Sequence, residues 1–363
     1  MKTREITWDD LESLSIGTNI LGTGGGGDSY MALLNTRKLH RQGFRYRLID
    51  PAALGDHDLF AEVSFMGAPL VSKERLSDPK FCARPARAME SYLGRSFTAV
   101  MSGEIGGANG VIPLLAAAAM DLPIVDADTM GRAFPEMQMS SFVIRGVPLC
   151  PFTMSDIRGN EVLITDAADA HWVERMSRVV CTEMGSTAST CCAPRGADDV
   201  KHHAILGTVT QAIELGRAVR RARAENSDPV AAVLATEDGV SLFEGKVADV
   251  ARRTTAGFLK GTVELDGLDD SAGSGFRVAF QNEWLLGWRD GALQVMVPDL
   301  ICILDSVSGA SLGTESIRYG QRVTVVSLPP PDVLTGADGL KVVGPRAFGY
   351  DMDYVPLHQR GTA

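Results

Sequence analysis

The stretch "LGTGGGGDSYMALL", Leu21 to Leu34, sets four consecutive glycines directly before a run that reads as a helix. What enters the glycines decides the fold. Gly22, Gly24 and Gly27 fit the GxGxxG fingerprint, and Asp50 ends the next strand where a ribose-binding acid would lie. That fingerprint requires a buried strand upstream. Here "TWDDLESLSIG" precedes the glycines, with Thr7 placed as an N-cap and Asp10 three residues on, a helix start. The run is therefore read as a backbone-lined ligand site outside the dinucleotide pattern. Gly-rich backbone before a helix offers N–H donors to a phosphate or carboxylate. A nucleotide- or NAD-binding enzyme using this loop stays as an alternative.

Outward from the loop, helix and strand patterns alternate. "DSYMALLNTRKLHRQG" is a helix ending at Gly43. "FRYRLID", "AEVSFMGAP", "SFTAVMSGEIGG" and "LPIVDADTMG" are strand candidates, and "NGVIPLLAAAAMD" is a helix. This order predicts an α/β N-terminal domain with partly parallel strands, residues 1–166. Beyond it come two helical stretches, "DAADAHWVERMSRVVCTEMG" and "HHAILGTVTQAIELGRAVRRARAEN". From Asp228 on, short Gly-punctuated runs such as "GFLKGTVELDG" and "GFRVAFQNEWLLGWRDG" predict a mostly β C-terminal domain, sandwich or barrel-like. Residues 167–363 thus read as a helical connection followed by that β-rich domain.

Composition excludes several function classes. A net charge of −10 and no basic stripe argue against nucleic acid. No apolar run approaches spanning length, and the charged start "MKTREITWDDLE" lacks a signal-peptide core, which predicts no membrane association and a cytoplasmic protein. The cysteines at 82, 150, 181, 191, 192 and 302 form no CxxC pair, so neither a zinc ribbon nor a disulfide framework is indicated. The vicinal Cys191 and Cys192 read as buried, inert thiols.

Four polar segments carry candidate chemistry. The first holds Gly24, Gly25, Gly26, Gly27 and Asp28. The second, "SGEIGGANG", supplies Glu104, Gly106, Gly107 and Asn109. The third, "DADTMGRAFPEMQM", supplies Asp126, Asp128, Arg132, Glu136 and Gln138. The fourth, "FQNEWLLGW", supplies Asn282 and Glu283. Asp126 and Asp128, two apart on extended backbone, share a side and are candidates for a base or for ligands of a divalent metal. Without a histidine cluster, magnesium or manganese suits them better than zinc. Arg132 is a candidate carboxylate clamp, Glu136 a general base, and Glu104 a further catalytic carboxylate. The scaffold reading is that Asp126 and Asp128 cap a helix and pair with Arg132. Trp284 and Trp288 either wall the pocket or form an oligomer surface, consistent with a homo-oligomer.

The motifs "LGTGGGGD", "GEIGGANG", "DADTMGRAFPEMQM", "FQNE" and "GPRAFGYD", in this order, resemble the bacterial domain of unknown function 917 family, described as S-methyl thiohydantoin desulfurase-like. The resemblance spans nearly the whole chain. It implies an α/β half and a β-rich half. It also implies a hydrolase that replaces a C2 sulfur substituent of a five-membered thiohydantoin or hydantoin-type ring by water. A small heterocyclic or carboxylate substrate follows, with a hydantoinase-type partner protein. A non-catalytic subunit of a hydantoinase or oxoprolinase system is the competing reading.

Overall fold

The computed structural model describes residues 3–68, 71, 78–255 and 257–359. A helix, not a strand, enters the glycine loop. Thr7 caps Trp8–Leu21 (α1): its hydroxyl accepts from the Asp10 N–H at 3.2 Å, and Asp10 Oδ2 accepts from the Thr7 N–H at 2.9 Å. This two-way cap satisfies donors that the first helical turn leaves open. Asp50 caps a short 3-10 turn through the Ala52 N–H at 2.9 Å. The dinucleotide pattern therefore lacks both its strand and its acid.

Among the described residues the N-terminal half holds eleven strands, nine in one sheet and two in a separate pair. In chain order β1 (Thr3–Ile6), β2 (Tyr46–Ile49), β3 (Leu59–Gly67), β4 (Ala99–Ser102) and β5 (Ile124–Val125) come first. They are followed by β6 (Ala127–Asp128), β7 (Phe152–Ser155), β8 (Glu161–Ile164), β9 (Thr187–Cys191) and β10 (Arg195–Gly196), and then by β11 (Ile205–Leu206). The main sheet runs β1-β2-β5-β4-β3-β9-β7-β8, with β10 also on β3. Its centre, β2-β5-β4-β3, is parallel, as the alternating pattern predicts; the flanks are antiparallel. The strand reading of "AEVSFMGAP" ends at Gly67, and Pro69 lies outside the described residues. α2 (Tyr30–Arg41), α3 (Pro79–Leu93) and α4 (Ile112–Met120) complete this layer.

Two corrections follow. β9 lies in the Ser- and Thr-rich "TASTC", buried on both faces with no apolar alternation, so periodicity does not announce it. The long helix expected from His202 is broken. α5 (Ala170–Glu183) is followed by α6 (Ala197–His203), which stops before Ala204. Ile205–Leu206 then pairs with Ala127–Asp128, and Gly207, at φ +78°, turns the chain into α7 (Thr208–Ala224). Unpaired backbone beside β6 is satisfied by that short strand.

After α8 (Pro229–Thr236), seven antiparallel strands form one curled half-barrel sheet. In chain order they are β12 (Val240–Thr255), β13 (Phe258–Gly267), β14 (Gly275–Gln281), β15 (Glu283–Arg289), β16 (Ala292–Met296), β17 (Leu300–Asp305) and β18 (Arg322–Leu328). Their order in the sheet is β16-β15-β14-β13-β12-β18-β17. Register breaks at Val247/Asp249 and Ala279/Phe280 bend it, as bulges do. Phe243, Val263, Phe276, Trp284 and Ile301 belong to one buried apolar cluster on it.

The two halves share a core. α1 crosses α7 at glycines: a Cβ on Gly17 would stand 2.5 Å from the Ala212 carbonyl carbon, and one on Gly216 would stand 2.5 Å from that of Ser13. Leu300, Cys302 and Leu304 of β17 pack into the same cluster as Leu14, Ile20 and Leu21. This contact fixes the β-rich half against the glycine loop. Among the described residues no helix is long and apolar enough to cross a membrane.

Candidate functional site

Protein, rather than ligand, accounts for much of the glycine run. A Cβ on Gly24 would lie 2.7 Å from Trp284 Cδ1, and one on Gly25 would lie 2.5 Å from Glu283 Cδ. On Gly26 it would lie 2.9 Å from the Gly106 carbonyl carbon. The loop carbonyls are taken up in turn: Gly24 O accepts from the Thr314 N–H at 2.8 Å, and Gly26 O from the Ala108 N–H at 2.9 Å. Bare main chain lets three other segments close in. The free edge of Gly24–Gly27 still lines a cavity of about 340 Å³.

Glu104 enters this cavity from the loop after β4. Ser102 shapes that loop, its hydroxyl donating to the carbonyls of Glu104 at 2.6 Å and Asn109 at 3.0 Å. The Glu104 carboxylate accepts from Asn109 Nδ2 at 2.5 Å and from the Phe134 N–H at 3.2 Å. Asn109 is itself fixed, accepting from the Phe65 N–H at 2.7 Å. Burial outweighs these donors and raises the Glu104 carboxyl to about 7.

Glu283 enters from the β-rich half. Asn282, at φ +58°, turns β14 into β15, and its side chain accepts from the Leu259 N–H at 2.9 Å. The Trp284 N–H donates to Thr23 O at 2.9 Å, clamping the hairpin to the glycine loop. Glu283 is 2 % exposed, and its Oε2 is buried with no partner. Burial first, then the charge of Glu104, holds its carboxyl well above the usual range, against the pull of Arg132. Two carboxyl groups from distant parts of the chain thus share one cavity. One is well supplied with donors and the other carries an oxygen with none.

Arg132 stands behind them, fully buried. Its Nη2 donates to Thr23 Oγ1 at 2.7 Å and its Nη1 to Asp299 O at 2.9 Å, while its Nε donates to Ala133 O at 3.1 Å. Its charge favours ionisation of both glutamates, and burial lowers it to about 10. Those donors are spent on protein, so Arg132 is a buried cation outside the cavity lining and not the ligand clamp that the sequence suggests.

Other expected site residues also lie outside the cavity lining. Asp128 Oδ2 accepts from the N–H groups of Ile105 at 2.8 Å, Met130 at 3.0 Å and Gly131 at 2.8 Å, and the residue is fully buried. Asp126 accepts from the Thr210 N–H at 3.0 Å and from its hydroxyl, at the start of α7. Both side chains serve loop and helix ends, so they present no shared base or metal pair to the cavity. Gly106 and Gly107 pack against Ala133, Gly26 and Gly27. Gln138 sits behind Glu136, donating to it and lying 3.1 Å from His171 Nδ1. Trp284 is buried under Gly24 and is not among the residues that line this cavity. Of the other candidates, Gly24–Gly27, Asp28, Glu104, Asn109, Glu136, Asn282 and Glu283 do meet around the one cavity. Among the described residues no group of three His, Cys, Asp or Glu side chains is placed to hold a metal.

The cavity also contains groups that the sequence motifs do not single out. Glu62 and Ser64 of β3 line it, with Thr190 and Cys192 beside them. Glu62 Oε2 accepts from Arg195 Nε at 2.8 Å, and both side chains are buried. Burial, then the Glu62 charge, raises Cys192 well above an ordinary thiol. Glu174 and Arg178 of α5 contribute an ion pair. A lone acid in an apolar strand, Glu62 in "FAEVSFM", is the one signal that sequence offers for this end.

The S-Me-THD-like, N-terminal domain matches residues 9–166, and the S-Me-THD-like, C-terminal domain matches residues 168–357. Among solved structures, a crystal structure of a protein from Chromobacterium violaceum is 23 % identical, with a TM-score of 0.81 over 98 % of this chain and 100 % of that one; it shares the fold. No curated protein matches the sequence. Both halves being matched, the chain belongs to the S-Me-THD-like family.

Proposed function

We propose that the protein is a hydrolase that replaces the C2 sulfur of an S-methyl thiohydantoin-type ring by water. The supporting observation is the meeting of Glu104 and Glu283 in one cavity, the first held by two donors and the second carrying an unpartnered oxygen. Separated acid and base roles are what such a pair supplies.

In this reading Glu104 is the base. Its two donors stabilise the carboxylate. In the same reading Glu283 keeps its proton, which turns the unpartnered Oε2 into a hydrogen-bond donor. C2 of the ring is bonded to the methylthio sulfur and doubly bonded to a ring nitrogen. Water adds to C2, one of its protons goes to Glu104, and the Glu283 proton goes to that nitrogen. The tetrahedral carbon then carries hydroxyl and methylthio groups. Collapse forms the carbonyl and breaks the C–S bond. The hydroxyl proton returns to Glu283, and the Glu104 proton leaves on sulfur as methanethiol. Both carboxyls end as they began, and the products are hydantoin and thiol.

Purified protein incubated with an S-methyl thiohydantoin should release one thiol per hydantoin formed. Glu104→Gln and Glu283→Gln should each lower the rate about 10²- to 10⁴-fold. Wild-type protein that releases no thiol, or an active pair of variants, overturns the proposal.

A further inference from the structure

Side chains alternate between the two faces of a strand, so Glu62, Ser64 and Met66 of β3 share one face. All three line the cavity. Thr190 of β9 stands opposite Ser64 in the antiparallel register and lines it as well. One face of the nine-stranded sheet is therefore a wall of the cavity.

Most polar groups on this wall are already committed. The Thr190 hydroxyl donates to Ser64 O at 3.0 Å, inside the sheet. Glu62 Oε2 accepts from Arg195 Nε at 2.8 Å. The Ser64 hydroxyl is the exception: it makes no hydrogen bond to any of the described residues, and Ser64 is half-buried, open where it lines the cavity.

Gly103 sets where that hydroxyl lies. A Cβ on Gly103 would collide with Ser64 Oγ and stand 3.7 Å from Glu62 Oε1. The oxygen therefore rests in the space that a side chain at position 103 would take. Gly103 lines the cavity too and directly precedes Glu104 in the chain. The uncommitted hydroxyl thus stands beside the loop that carries the proposed base. Carboxylates on this side accept hydrogen bonds and cannot serve a ligand carbonyl, which needs a donor; a hydroxyl supplies one.

We infer that Ser64 determines specificity by donating a hydrogen bond to the C4 carbonyl oxygen of the bound ring. This rests on the ring class in the proposed function and adds the group that orients that ring. The substrate carries its methylthio group at C2 and its carbonyl at C4. The C4 oxygen is unchanged by the reaction, so Ser64 holds substrate and product alike, next to Glu104.

Binding of hydantoin and imidazolidin-2-one, followed by NMR titration, tests this without turnover. Neither ring carries sulfur, and the second lacks the C4 carbonyl. Ser64→Ala should weaken hydantoin about 3- to 10-fold and leave imidazolidin-2-one unchanged. Its Tm should match that of the wild type, because no protein group uses the hydroxyl. Unchanged hydantoin binding in Ser64→Ala overturns the inference, as does an equal loss for both rings. So does a wild-type protein that binds neither ring, or a lowered Tm, which would assign the hydroxyl to the fold. A protein that shows the selective loss but releases no thiol keeps the inference and loses the proposed reaction. Thiol release with no selective loss does the opposite.

Discussion

Gly25 and Glu283 are packed so closely that a methyl group on the glycine would stand 2.5 Å from the carboxyl carbon. Gly25 therefore sets where Glu283 sits. Gly25→Ala should move that carboxyl and cost about 1–3 kcal/mol by overpacking. Activity should fall much further than stability does. A thermal melt read beside a rate assay checks this, and an active Gly25→Ala protein would show that the carboxyl position is not critical.

The carboxyl pair makes a pH prediction. Glu104, raised to about 7, must be ionised to act as base, so kcat/KM should rise with pH through about 7. It should fall again where Glu283, held well above the usual carboxylate range, loses its proton. Stability moves the other way. In the unfolded chain Glu104 ionises in the ordinary carboxylate range, so between there and about 7 the folded state holds the extra proton. Its stabilising contribution is complete at low pH and is lost as pH rises through about 7. Glu104→Gln removes this dependence. Its Tm relative to wild type should be more favourable at pH 8 than at pH 5; a constant difference would contradict the raised carboxyl.

At the helix crossing, Gly216→Ala drives a methyl group toward the Ser13 backbone. Both sides are main chain and cannot rotate away. A loss of about 1–3 kcal/mol is expected in denaturant titration. An unchanged midpoint would mean that α1 and α7 separate freely.

Arg132→Met should destabilise by about 3–5 kcal/mol, because it leaves buried carboxyl and carbonyl groups without their cation. A second replacement, Glu283→Gln, should recover part of that loss by removing a carboxyl that can ionise. Additive losses in the double-mutant cycle would show that the two side chains do not communicate.

Much of this was legible before any coordinates. The capping box at Thr7 and Asp10 is local, and it already puts a helix where the dinucleotide pattern needs a strand. The parallel centre and the β-rich second half follow from periodicity and glycine punctuation. Glu104 and Asn109 stand out as polar groups among glycines, and Asn282 and Glu283 as a polar break in an aromatic and apolar run. Local reasoning fails where long-range contacts decide. Asp126 and Asp128 look like paired ligands, but whether an aspartate meets solvent, a ligand or three backbone N–H groups depends on the packing of Ile105 and Thr210, far away in sequence. β9 hides because strands buried on both faces need no alternation. Arg195 gives no sign of its role, since only the sheet places it behind Glu62.

The acid pair has a consequence for inheritance. Glu104 comes from the segment matched by one domain description and Glu283 from the segment matched by the other. A lineage that separated the two segments would part the two carboxyls that this cavity brings together. Shuffling one half onto a foreign partner would carry away a lone carboxyl. The pair therefore binds the two segments into one unit of descent.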